Sequence, residues 1–276
     1  EELYKRISLE FFEEIYNFVK EKQPKLWGEQ QPRYFLKHMV TLALYKDIFK
    51  VGYMKLINET SLPFKINHKS MAHNTQILRE IMRDWAQTKI ILGKLSDLKT
   101  AVRNCGLDSN ICDAKRDEKW SYKCNSPGRR FMVLRDGKSK IRSIWGGYSP
   151  KTYDGNWLEI YKKILDKQLK GAIILADNHF KIGKKLFKNI KFYTPISKPN
   201  KNKERRSIEN NVAGIALLNK DQEKLNNSIK KARSRIESPF GFIKSKIDSL
   251  SKPWSESEDQ LDNLVWIVCG IYNSSI

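Results

Sequence analysis

Residues 172–177, Ala172-Ile173-Ile174-Leu175-Ala176-Asp177, run apolar without alternation and end on an acid. Alternating hydrophobicity marks a strand with one wet face, whereas an unbroken apolar run marks a strand buried on both faces. Such strands belong to parallel sheets covered by helices, so this segment predicts α/β architecture. Its neighbours agree. Residues 109–113, 130–135 and 141–148 read as strands, with Asp136-Gly137 as the hairpin turn between the last two. A helix is predicted from Asp154 to about Leu169, with Trp157, Ile160, Tyr161 and Leu165 inward. Residues 179–189 read as helix and Lys191–Ile196 as a short strand. A helix from about Lys220 carries Leu225, Ile229, Ile236, Phe240, Ile243 and Ile247, and Pro239 is expected to kink or restart it. A last helix is predicted from Glu256 to Asn273. This order predicts a mixed α/β sheet within a domain spanning residues 96–276.

Residues 1–95 have a different texture, and an all-helical domain is expected there. Leu3, Ile7, Phe11, Ile15 and Val19 recur at helical spacing, and a second helical stretch begins near Arg33 after a Pro- and Gln-bearing break. A short helical pattern over 52–58 is interrupted at Ser61-Leu62-Pro63. Asn67 or Ser70 then caps a helix with Met71, Asn74, Leu78, Ile81 and Trp85 on one face. Lys69, His73, Gln76 and Arg83 fall on the other. Two helices around a turn, the second polar and basic outside, fit a helix-turn-helix reading a major groove. A helical hairpin with a solvated outer face gives the same pattern.

Charge limits the partners. The chain has 52 Lys+Arg against 31 Asp+Glu, a net +21, which favours polyanions through phosphate contacts and counterion release. Hydrophobic content of 40% argues against global disorder. No apolar run approaches the ~20 residues that span a bilayer, so no membrane partner is expected. No secretory leader is visible, and a start without Met is what a fragment or processed chain gives. Cys105, Cys112, Cys124 and Cys269 contain no C-x-x-C pair, so reduced thiols are expected. Zinc held by Cys105, Cys112 and Cys124 stays open, although the spacings differ from common zinc ribbons.

Three acids stand out against this basic background. Asp113 ends the apolar run Asn110-Ile111-Cys112, Asp177 ends the stronger run above, and Glu237 lies in a basic helical segment, Lys230 to Glu237. Helices that alternate with strands bring strand ends to one edge of the sheet, where a helix can add a third acid. Crowded carboxylates repel, and two Mg²⁺ or Mn²⁺ ions about 3.5–4 Å apart relieve that repulsion and serve in-line phosphoryl transfer. Each acid also has a bland reading. An Asp at a strand end is often a turn residue, and Glu237 sits at i,i+4 from Arg233.

These residues resemble a known family. SIKKARSRIESPFGFIKSK (228–246) is similar to the C-terminal motif of DDE superfamily transposases of the PIF/Harbinger type, in which an arginine-bearing helix carries the catalytic Glu. NICDAK (110–115) resembles the first-Asp strand, and IILADNHF (173–180) the second-Asp segment. The stretch DGKSKIRSIWGGYSPKTYDGNW resembles the strand, Gly-rich turn and helix entry between them, with Tyr153 where the family often has His. The likeness covers roughly 108–275. It implies an RNase H-like mixed sheet flanked by helices, with Asp113, Asp177 and Glu237 as catalytic, metal-binding acids. Asp154 matches a common acidic position that supports the site or caps the helix.

The resemblance implies a nuclear DNA endonuclease, or a cytoplasmic or nucleoid one in a prokaryote. It would cleave and rejoin double-stranded DNA at transposon ends. Lys230, Arg233 and Lys244 share a helical side with Glu237 and are expected to hold phosphates. Arg129, Arg130, Lys138, Lys140 and Arg142 form a candidate second basic strip. A catalytically silent DNA-binding descendant and a hydrolytic nuclease without strand transfer are the alternatives. A homo-oligomer and an accessory DNA-binding protein are both compatible with the sequence.

Overall fold

The computed structural model describes residues 2–22, 33–60, 62, 65–92, 99–104, 120–121, 126–127, 129–149, 152, 154–176, 178–196, 218–250 and 254–276. At 33–34, 99–104, 120–121, 126–127, 154, 232–238 and 244 the description is of backbone alone. The N-terminal part is helical: α1 (Glu2–Arg6), α2 (Leu9–Lys22), α3 (Arg33–Phe49), α4 (Tyr53–Glu59) and α5 (His68–Lys89). Sequence periodicity ran α1 and α2 together. Ser8 separates them, and its Oγ accepts the Phe11 N–H at 3.3 Å, the local capping that starts a new helix. Asn67 caps α5, its Oδ1 accepting the Ser70 N–H at 2.8 Å.

Five strands form the main sheet: β1 (Lys99–Asn104), β4 (Arg130–Arg135), β5 (Ile141–Tyr148), β6 (Ile173–Leu175) and β7 (Lys191–Tyr193). Strands β2 (Trp120–Ser121) and β3 (Ser126–Pro127) pair separately. The spatial order is β5-β4-β1-β6-β7. β4 is antiparallel to both β5 and β1, while β6 runs parallel to β1 and to β7. Strand β1 was not foreseen. Its sequence, Lys-Thr-Ala-Val-Arg-Asn, has only two apolar residues and no clean alternation. The strand expected at 109–113 lies outside the described residues.

The turn at Asp136-Gly137 is as read. Asp136 Oδ1 accepts the N–H groups of Lys138 (2.8 Å) and Lys140 (3.0 Å), and Asp136 Oδ2 accepts Arg142 Nε at 2.6 Å. The helix expected over 154–169 divides into α6 (Asp154–Ile160) and α7 (Lys162–Gln168). The 179–189 segment is a 3₁₀ turn, Asn178–Phe180, followed by α8 (Gly183–Leu186). α9 (Lys220–Lys246) passes through Pro239 without restarting, and α10 (Glu258–Ser274) starts on its Ser257 cap.

The sheet separates two apolar clusters because β4 alternates. Phe131 and Val133 face one side with Ile141 and Ile144 of β5, against α10, α5 and the end of α9. Met132 and Leu134 face the other with Ile174 and Phe192, under α6, α7 and α8. The first cluster continues without a break into α1–α5, so the N-terminal helices share one core with α10. α5 and α10 approach closely at Gly270, where a Cβ would lie 2.8 Å from Ala86 Cβ. Asn273 on α10 ties three elements together. Its Oδ1 accepts Ile141 N–H at 2.8 Å, and its Nδ2 donates to Ile141 O (2.7 Å) and Lys89 O (3.0 Å).

Candidate active-site edge

β1 and β6 are parallel neighbours in register, with Ala101 opposite Leu175. Their C-terminal ends therefore open on the same edge of the sheet. Pairing beyond β6 extends through Ala176, whose N–H donates to Tyr193 O at 2.9 Å, and Asp177 follows directly in the chain. α9, the helix that carries Glu237, packs against both β1 and β6. Its Asn226 is bound to the segment three residues past β7, Nδ2 donating to Ile196 O at 3.0 Å and Oδ1 accepting Ile196 N–H at 2.8 Å. The ends of β1 and β6 thus share one edge of the sheet, and the helix that carries Glu237 packs against both strands.

Asp113 and Asp177 lie outside the described residues, and Glu237, Arg233 and Lys244 are described as helical backbone only. Positions 230, 233, 237 and 244 recur at helical spacing on unbroken α9, so they share a side. At 100° per residue that side borders the stripe of Ile229, Phe240, Ile243 and Ile247, all buried. Lys230 is exposed. Chain position also brings in a residue the sequence reading passed over. β1 ends at Asn104, so Asp108 lies four residues beyond it and Asp113 nine. The signal was hidden because β1 itself was missed.

Lys69, His73 and Gln76 are exposed on the first turns of α5, opposite buried Met71, Thr75 and Leu78. Arg83 is different from the outward reading: its Nη1 donates to Asn263 Oδ1 of α10 at 3.1 Å. The second basic strip is also largely engaged. Arg129 pairs with Glu258 and Asp262 (2.9 Å to the latter), Arg142 with Asp136, and Arg130 Nη1 donates to Thr152 O at 3.1 Å. Lys138 and Lys140 remain exposed. Trp145 packs 5.9 Å from the Tyr161 ring, an intramolecular contact.

Among the described residues no group of three or more His, Cys, Asp or Glu is arranged to hold a metal, and no helix is long and apolar enough to cross a membrane. Cys105, Cys112 and Cys124 lie outside the described residues; Cys269 is free and buried, and burial pushes its thiol pKa up.

The model of the family described as DDE superfamily endonuclease matches residues 107–273. The chain belongs to this family. The match runs from before β2 to the last turn of α10, and it begins one residue before Asp108. Membership in the DDE superfamily endonucleases implies a transposase-like nuclease, a DNA substrate and dependence on a divalent metal. No curated protein and no solved structure gives a match.

Proposed function

We propose that the chain is a transposase-type DNA endonuclease of the PIF/Harbinger kind, with an RNase H-like catalytic domain that cleaves transposon ends and rejoins them to target DNA. The observation that carries the reading is the parallel pairing of β1 and β6 with α9 packed against both, within a chain of the DDE endonuclease family. An antiparallel run of three strands, continued by two strands parallel to the first, is the mixed sheet this reading expects.

In this proposal Asp177 at the end of β6 and Glu237 on α9 are two of the metal-holding acids. The first acid, which follows β1, is Asp113 or Asp108. Four residues of extended chain span at most ~13 Å, which keeps Asp108 close to the end of β1, and nine span at most ~30 Å, which leaves Asp113 room to return there. Hard carboxylate oxygens suit Mg²⁺ or Mn²⁺. Two bound ions would neutralise charge on the attacking and leaving oxygens of an in-line displacement. The protein's own task is to hold the acids on stiff elements and to position phosphates through Lys230, Arg233 and Lys244. The α4–α5 pair, with Lys69, His73 and Gln76 outward, would read the transposon end in a nuclear setting.

The test is metal-dependent nicking and joining of a labelled transposon end by the full chain. Asp177→Asn and Glu237→Gln are expected to lose cleavage by at least ~10³-fold with DNA affinity within a few-fold. Asp108→Asn and Asp113→Asn should separate, one inactive and the other near wild type. Full activity in Asp177→Asn or Glu237→Gln removes the assignment.

A further inference from the structure

We propose that the outer surface of the α6–α8 layer is a phosphate track that carries duplex DNA past the cleavage edge; the proposal rests on the DNA endonuclease reading above. Residues 162–191 hold nine lysines, two aspartates and no arginine. That net +7 is a third of the whole chain's +21 in about a ninth of its length. The fold makes this charge a surface. Leu165, Leu169, Phe180, Phe187 and Ile190 turn inward to the cluster under the sheet, which leaves Lys163, Lys167, Lys170, Lys184, Lys185 and Lys188 exposed.

Hydrogen bonds join the two halves of the strip. Gly171 N–H donates to Asn189 O at 2.7 Å and Lys191 N–H to Ala172 O at 2.9 Å. The turn bearing Lys170 is therefore bound to the turn bearing Lys188. Gly171 adopts a φ of +87°, the left-handed turn that puts Lys170 at this corner. Among the described residues no carboxylate engages these six lysines.

The occupant follows from the side chains. Lysine is a flexible point charge, suited to following a phosphate backbone, whereas bidentate base reading favours arginine. No aromatic side chain is exposed among the lysines of α7 and α8 for bases to stack on, so paired DNA fits better than a single strand. The corner of Lys170 and Lys188 lies at the N-terminal ends of β6 and β7, one strand length from the edge that leads to Asp177. DNA lying there is beyond the scissile bond and is contacted without regard to sequence.

The experiment compares two full-length variants of equal charge loss, K170Q/K184Q/K188Q and K5Q/K20Q/K22Q, binding a random-sequence duplex over a salt series without divalent metal. Each lost phosphate contact flattens the log–log salt slope by ~0.9. The first variant is expected to lose roughly 2–3 from the slope and at least ~10-fold in affinity at low salt, with an unchanged melting temperature; the second is expected to change little. Equal slopes in the two variants overturn the track. So does binding of the wild type to phosphatidylserine vesicles through the same lysines, uncompeted by duplex. A wild type that shows the expected slopes but never nicks DNA keeps the track and removes the nuclease reading. A competent nuclease with an unaltered triple-lysine slope does the reverse.

Discussion

Arg79 is the residue on which the joint between the N-terminal helices and α10 turns. Its side chain is fully buried, with Nε donating to Asp47 Oδ2 at 2.8 Å and the remaining nitrogens reaching Asp47 Oδ1, Glu256 and Gln260. Lys46 pairs with the same Glu256 and lies 4.4 Å from the Tyr53 ring centroid. Removing one partner of a buried network strands the others, so Arg79→Leu is expected to cost about 3–5 kcal/mol in urea unfolding. The same network sets an acid limit. Burial raises the Glu256 pKa, but hydrogen bonds and charge from Arg79 and Lys46 outweigh it and hold the carboxyl at about 2. A depressed carboxylate contributes stability above its ordinary value of 4.5, and that contribution is lost as pH falls through about 2. Urea midpoints followed downward from pH 7 should therefore drop below about pH 4.5, and less so in Glu256→Gln. None of this was legible in the sequence. A buried arginine and its acids, 32 and 177 residues away, look like any surface charges until the fold places them.

Helices were legible where an apolar stripe repeats every three to four residues, as in α2, α5, α9 and α10. Breaks were legible only where punctuation is strong. Asn67 or Ser70 was read as a cap, and Asn67 is the one used, whereas the split at Tyr161 between α6 and α7 has no Gly or Pro to announce it. Pro239 lacks an N–H, yet Phe240 next to it and Ile243 one turn on stay buried, and that packing carries the helix through. Strand β1 was missed because its central place in the sheet is set by its pairing with β4 and β6 rather than announced by its composition. At this scale the α10 clip is the testable part. Asn273→Ala leaves the backbone groups of Ile141 and Lys89 without their partner, for an expected loss of about 2–3 kcal/mol in urea. Gly270→Leu drives a side chain into Ala86 and is expected to lower the melting temperature further.

Across the whole molecule the sequence reading placed a change of texture near residue 95, and one apolar cluster joins residues from both sides of it. Deleting residues 1–90 would uncover the face of α10 formed by Leu261, Leu264, Val265 and Val268. The truncated chain is expected to aggregate or lose cooperative unfolding, measured by light scattering and a melting curve. DNA-end recognition is better tested with exposed substitutions, such as Lys69→Ala with Gln76→Ala, in the intact protein. The parallel character of β6 was the most informative sequence signal, because it tied Asp177 to a sheet edge before any strand order was known. Which strand stood beside it depended on β1, and β1 carries almost no signal of its own.

The sheet's two outer strands are unequal. β7 spans three residues and begins on exposed Lys191, which offers another chain few free amides and a repelling charge. β5 is eight residues long, but it is bent at Gly146, where a Cβ would lie 2.6 Å from Arg130 O, and its register slips there. Neither border is a flat template, so the protein should remain free of strand-to-strand self-association at the concentrations that crystallisation or DNA-complex assembly demands.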